Sequence, residues 1–345
     1  AVTVLALALR LALGVARAGP DGLHQVFGDS WEAGNEYLPS LPAVEVGGLG
    51  WFLDRFAELV PVLPVHSAGH PPGIFVVLHT LGISSSEGMA ALVIAASALT
   101  APLTFALART QLEERPARVA AVLFAFAPVA VLYGAASADA LFAAVSTAAA
   151  ALLLAKPLLA RAAGTVALAV ASFFNWALLG IGAWVVFVAW AREGLRRALL
   201  LGAACGVVLV AFYAGLYAVS GFDPLGTVNA TGEVYRVSLA RIRPYEFWLF
   251  GSPTAFLVAL GLPITWYAAR AASERQATAL ALAALLIISA VLGFTKAETE
   301  RIYLFMVPLA CVAAAAVIPR ERLEPVLWLL AAQALGAELL FATVW

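Results

Sequence analysis

The sequence has little charge. Asp, Glu, Lys and Arg make up 12% of its 345 residues, about half the share of an average soluble protein. Lysine is almost absent, with only Lys156 and Lys296 among the 20 cationic residues. The net charge is −1, so no basic face exists to hold nucleic acid. The two cysteines, Cys205 and Cys311, both lie in apolar runs and offer neither a disulfide framework nor a metal-ligand spacing. No repeat of fixed period is visible, and no stretch reads as a soluble second domain. What remains is apolar: 63% of residues are hydrophobic and the mean hydropathy is +0.95. That composition excludes a soluble globule and a disordered chain, and predicts a polytopic all-α membrane protein. Arginine in place of lysine, with abundant Ala, Leu and Val, suggests a GC-rich bacterial genome.

A helix needs ~20 apolar residues to cross the ~30 Å hydrocarbon core. Eleven apolar runs are expected to do so: about 1–19, 89–109, 119–136, 140–155, 162–175, 176–190, 199–219, 246–269, 278–294, 303–318 and 325–345. Several are short, which is tolerated where a helix faces protein rather than lipid. Residues 1–19 end in Ala-Arg-Ala-Gly, like a signal-peptide cleavage site, but Arg10 sits mid-segment and the run is read as a retained first helix. Residues 1–345 are expected to form a single transmembrane domain.

Arginine sets the expected orientation. Arg109/Arg115/Arg118, Lys156/Arg161, Arg192/Arg196/Arg197, Arg270/Arg275 and Arg320/Arg322 mark cytoplasmic loops by the positive-inside rule. Residues 20–70, the junctions near Asp139 and Asn175, and loops 220–245 and 295–302 then face outward. Only one crossing fits between 20–70 and 110–118, so Pro71–Ser84 reads as a juxtamembrane or half-inserted helix. Residues 20–84 thus form one long outer segment, and long loops usually carry function.

Polar chemistry concentrates there. Residues 20–70 hold Asp21, Asp29, Glu32, Glu36, Glu45, Asp54 and Glu58 against a single base, Arg55. All four histidines, His24, His66, His70 and His79, lie within residues 24–79. The plainer reading is a solvated acidic face; the sharper one is a catalytic loop whose carboxylates act as base or metal ligands. In Gly69-His70-Pro71-Pro72-Gly73 the prolines suit a helix start and set His70 at its N-terminus. Asp139, in Ser137-Ala138-Asp139-Ala140-Leu141, is either an N-cap or a functional acid, since an unpaired acid at this depth costs a few kcal/mol. Arg236, Arg241 and Arg243, then Lys296 and Arg301 beside Glu298 and Glu300, put five cations in outer loops against the topology bias. Phosphate recognition explains them; pairing of Arg301 with Glu298 or Glu300 is the alternative.

The order of parts resembles the GT-C superfamily of integral membrane glycosyltransferases, nearest its aminoarabinose-transferase and protein-mannosyltransferase branch. The layout likeness covers most of the chain. His70-Pro71-Pro72 is similar to the family's (His/Lys)-Pro-Pro motif, Ser137–Leu141 to its second outer-loop acid, and Glu300-Arg301-Ile302-Tyr303-Leu304 to its late Arg-Tyr motif. Relatives often carry Asp-Glu soon after the first helix; here Gly28-Asp29-Ser30-Trp31-Glu32 and Asn35-Glu36 stand in that region. The resemblance implies a GT-C-like fold in the bacterial plasma membrane with an outward-facing site. It implies transfer, with inversion, from a polyprenyl-phosphate sugar to a glycan, lipid or protein acceptor. The expected base is Glu36 or Asp29, with Asp139 orienting the acceptor or a metal. His66 and His70 line the floor, and Lys296, Arg301 with Glu300 beside it, and Arg241 or Arg243 hold the phosphate. Candidate ligands for a divalent ion are Asp29, Glu36, His70 and Asp139, although no spacing demands one. The rivals are a transporter or lipid flippase, which calls for midplane charges such as Glu338 and an inverted repeat, and a non-enzymatic scaffold.

Overall fold

The computed structural model describes residues 1–293 and 295–341. Residue 294 of the expected 278–294 run and residues 342–345 of the expected last run lie outside the described residues. The chain is 83% helix, and no strand occurs among the described residues. The principal helices are α1 (Val2–Ala18), α2 (Gly73–Leu81), α3 (Ser86–Arg109), α4 (Glu114–Phe126), α5 (Pro128–Leu132), α6 (Asp139–Leu153), α7 (Leu158–Ser172) and α8 (Leu179–Glu193). They continue as α9 (Leu195–Ser220), α10 (Pro224–Val237), α11 (Tyr245–Ala259), α12 (Leu262–Ser273), α13 (Ala277–Leu292), α14 (Val307–Ala315) and α15 (Leu323–Leu340). Among the described residues, five helical stretches are long and apolar enough to cross a membrane, and six if the bent pair α11–α12 counts as one span.

Each break in the expected runs has a local cause. The 119–136 run divides into α4 and α5 at Ala127–Pro128, where proline has no N–H to continue the ladder. Arg10 of α1 reaches this break: its Nη1 donates to the Ala125 carbonyl at 3.1 Å and its Nε to Ser97 Oγ at 2.7 Å. The guanidinium also lies 5.4 Å from the centre of the Phe124 ring. The mid-helix arginine thus supplies a donor that the broken helix lacks. The 246–269 run bends by 113° between α11 and α12. Gly261 at the bend has φ +109°, closed to L side chains, and Pro263 opens the next helix.

Burial matches chemistry along the helices. All nine residues of α14 are buried, as expected of a helix apolar on every side. By contrast α9 buries only Ala198. It leaves Leu199, Leu200, Val207 and Val210 exposed, an apolar surface suited to lipid.

Polar contacts gather at two ends. At the arginine-rich end Arg161 makes a two-pronged pair with Glu193 at 2.8 and 3.2 Å, and Arg192 donates to the Thr110 carbonyl at 3.1 Å. The other end holds the acids and histidines of residues 20–70 and the cations of the late loops. Helix α6 leads from this second end toward the first, and α7 returns to it, where the Phe173 carbonyl accepts from Gly73 N at 2.9 Å. A Cβ on Gly73 would come within 2.4 Å of that oxygen, so glycine is required where α2 docks. Pro71 and Pro72 precede α2 directly, with Pro72 as its N-cap. At the same end Arg17 and Glu338 join α1 to α15 through contacts of 2.7 and 2.8 Å. Glu338 is therefore paired rather than free within the bundle.

Candidate functional site

Short helical turns carry the first half of the site. Glu32 opens the turn Glu32–Asn35, and Glu36 and Tyr37 follow it. His66 sits in the helix Val65–Gly69, and His70 ends it in an extended conformation. These turns bring both glutamates to one imidazole. His66 Nε2 lies 2.8 Å from Glu32 Oε1, and its Nδ1 lies 4.0 Å from Glu36 Oε1. Glu36 is only 1% exposed, and neither of its carboxylate oxygens accepts a hydrogen bond. Burial pushes its carboxyl above the usual range; His66 and Arg301 pull it back, while Asp139 and Glu32 push it further up. Tyr37 stacks on His70, and its hydroxyl lies 2.6 Å from His70 Nδ1. Burial holds the Tyr37 phenol protonated and pushes the His70 imidazole down to about 4. The phenol therefore donates and the neutral ring accepts.

The second half comes from the start of α6 and the late loops. Arg301 Nη1 donates to Asp139 Oδ2 at 2.6 Å and to Ser137 Oγ at 3.2 Å. Its Nη2 donates to Glu298 Oε2 at 3.1 Å. Glu298 also accepts from Arg243 Nη2 at 2.8 Å, which closes a chain Asp139–Arg301–Glu298–Arg243. Burial opposes the Arg301 charge, but Asp139, Glu36 and Glu298 outweigh it and hold the group above its ordinary value. The same guanidinium fields keep Glu298 below the ordinary carboxyl value against its burial. Burial moves neighbouring Glu300 the other way, upward. Ala297 and Glu298 both have positive φ, +66° and +57°. Consecutive non-glycine residues in that region store strain, a feature concentrated at functional sites. Lys296 turns its ammonium onto the carbonyls of Arg243 and Ala240, at 3.1 and 3.5 Å.

Glu36, His66, His70, Asp139, Arg243, Lys296, Glu300 and Arg301 are thus gathered by contact or electrostatic coupling at one end of the bundle. Two expected members are not. Asp29 is exposed, and its side chain makes no hydrogen bond or ion pair with the cluster. Arg241 is also exposed, beside the paired Arg243. Asp139 does not cap α6, whose N-cap is Ala138; its carboxylate is committed to Arg301 instead. Arg301 pairs with Glu298 as the plainer alternative expected, and with Asp139 as well. Glu32 and Tyr37 belong to the site although the sequence reading gave neither a role. One signal was present for Glu32: it lies four residues before Glu36, the spacing of two side chains on one face of a helical turn.

For a metal, Glu32, Glu36 and His66 are the grouping among the described residues, with ligand atoms all within 4.8 Å of one another. An apolar groove of about 620 Å³ between α1 and α3, lined by Leu7, Leu11, Ile94 and Leu99, includes none of these residues. No protein-family model matches the chain, and no curated protein is similar to it.

Proposed function

We propose that the chain is an integral membrane glycosyltransferase of the GT-C kind. It would move a sugar from a polyprenyl-phosphate donor to an acceptor hydroxyl at the outer face of a bacterial plasma membrane. The observation that carries this reading is the Glu36 carboxylate: buried, without a hydrogen-bond donor, and within the electrostatic reach of the Asp139–Arg301 pair. A carboxylate in that state is a strong proton acceptor, since nothing else satisfies it. Glu36 takes the proton of the acceptor hydroxyl as its oxygen bonds to the anomeric carbon. The bond from that carbon to the phosphate oxygen breaks, and the polyprenyl phosphate leaves with the electron pair. Attack opposite the leaving group inverts the centre. Lys296 and Arg301, with Arg243 bridged to Arg301 through Glu298, are the cations that would hold the departing phosphate. Preorganised charge of this kind is usually the largest catalytic contribution.

The fold reading is eleven passes, with α4–α5 and α11–α12 each counted as one broken pass. Its support is the pairing of helix ends: Arg161 with Glu193 and Arg192 with Thr110 at one end, Gly73 with Phe173 and Arg17 with Glu338 at the other. Short passes such as α14 are shielded by protein on all sides. Residues 20–84 face outward, because the arginine-rich end belongs in the cytoplasm.

The test is sugar transfer by the purified, reconstituted protein, screened by mass spectrometry against polyprenyl-phosphate sugars with membrane-extract acceptors. Glu36→Gln is expected to lower turnover by about 10²-fold or more while leaving thermal unfolding intact. Transfer at the wild-type rate in that variant would remove Glu36 as base. The absence of transfer with every donor would overturn the enzyme reading.

A further inference from the structure

We infer that α10 and the turn after it, residues 224–243, lie flat in the headgroup layer and dock on anionic phospholipid, with Arg241 as the headgroup contact. The two faces of α10 differ. Its inner face covers the turns that carry His66: Thr227 is fully buried, and Thr231 Oγ1 donates to the Ala68 carbonyl at 2.9 Å. Its outer face, at helical spacing from Leu225, presents Leu225, Val228 and Arg236. Leu225 is 75% exposed there, and Ile242 in the following turn is 74% exposed. Asp223 caps the helix through the amides of Leu225 and Gly226, at 3.0 and 2.9 Å, so its start is fixed without a partner protein.

The surroundings identify the occupant. The segment joins α9 to α11, and both flanking helices expose apolar side chains where they meet it: Tyr217 and Val219 at the end of α9, Phe247 and Phe250 at the start of α11. Its outer face therefore continues a surface that already faces lipid. A short helix with apolar and basic side chains outward adsorbs at the headgroup level, held by apolar burial and by attraction to anionic lipid. Charge agrees. Residues 20–70 carry seven acids and one base, whereas residues 224–243 carry Arg236, Arg241 and Arg243 against Glu233 alone. Arg236 pairs with Glu233, and Arg243 with Glu298. Arg241 is exposed and has neither hydrogen bond nor ion pair among the described residues. A phosphodiester supplies the acceptor oxygens that this guanidinium lacks. The inference needs the helical bundle but not the transferase reading.

The experiment uses the full chain in vesicles of phosphatidylcholine with phosphatidylglycerol. Leu225→Cys and Ile242→Cys each carry a nitrobenzoxadiazole probe; both positions are exposed, so neither substitution removes packing. Cys311 is buried and Cys205 partly so, and wild-type protein treated alike gives the background. Each probe meets two quenchers, aqueous iodide and a nitroxide near the headgroup of a lipid. Strong quenching by the lipid nitroxide and weak quenching by iodide are expected. The reverse would overturn the docking, as would protection from both, which would mean that protein covers the face. With the nitroxide on phosphatidylglycerol rather than phosphatidylcholine at equal mole fraction, the Ile242 probe should report about fivefold local enrichment for one cation. Arg241→Gln should abolish that preference. Equal quenching by the two lipids, or a preference that survives Arg241→Gln, would overturn the anionic contact. None of these readouts is sugar transfer, so failure here and failure of the transferase reading are separate results.

Discussion

Asp139 and Arg301 stand 162 residues apart in the chain and 2.6 Å apart in space. Their exposures are 2% and 4%, so the pair is shut away from water. Two buried charges cost several kcal/mol each in desolvation, which an attraction repays only with good geometry and further hydrogen bonds. Here Ser137 donates to Asp139 Oδ2 at 2.7 Å, and Glu298 takes the other terminal nitrogen of Arg301. The pair ties the start of α6 to the late loop, and Glu36 from the first loop feels both charges.

Removing one partner should therefore be worse than removing both. Asp139→Ala or Arg301→Met alone leaves a buried charge and should cost about 3–5 kcal/mol. The double variant should lose clearly less than the sum of the two, a coupling that unfolding in mixed micelles can measure. Additive losses would show that the contact does not hold the two segments together.

Some of this arrangement was legible in the sequence. The collection of every histidine and a row of acids in residues 24–79 pointed to the first loop, and Asp139 was conspicuous as an acid between apolar runs. The pairing was less so, because a carboxylate at a helix start reads equally well as a cap, and only long-range packing decides. Asp29 and Glu36 were indistinguishable as loop acids; burial separates them, and burial is not written in seven residues of spacing. Arg10 was visible as a charge in a span, but its use depends on a helix break at Pro128 more than a hundred residues later.

Gly73→Ala should disturb the docking of α2. The new Cβ would sit 2.4 Å from the Phe173 carbonyl oxygen, which is backbone and cannot swing aside. Overpacking of this kind costs about 1–3 kcal/mol. A lowered Tm is expected, together with lost transfer if His70 moves with the helix. An unchanged Tm would mean that the α2–α7 contact is loose.

Relief of strain is expected from Ala297→Gly. Ala297 has φ +66°, a region that disfavours L residues by roughly 1 kcal/mol and that glycine enters freely. The variant should unfold at a slightly higher temperature, offset in part by the greater freedom of glycine in the unfolded chain. A marked fall in Tm would show that the alanine methyl is needed for packing. If the strained turn holds Glu298 between Arg243 and Arg301 for function, transfer should fall while stability rises.

The pH dependence of stability should carry the mark of His70. Burial lowers its folded-state value to about 4 from an ordinary 6.5. Between those values the unfolded chain holds a proton on this ring that the folded chain does not. Stability therefore rises with pH across that window and is lost as pH falls from about 6.5 toward 4. The contribution between pH 7.5 and pH 5 is about 2 kcal/mol. Glutamine at this position keeps a hydrogen-bonding partner for the Tyr37 hydroxyl but has nothing to titrate. Unfolding of the wild type and of His70→Gln at the two pH values should show the wild type losing more stability on acidification. Equal losses would mean that the ring is reached by water and protonates in place, and that the Tyr37 phenol does not face a neutral nitrogen.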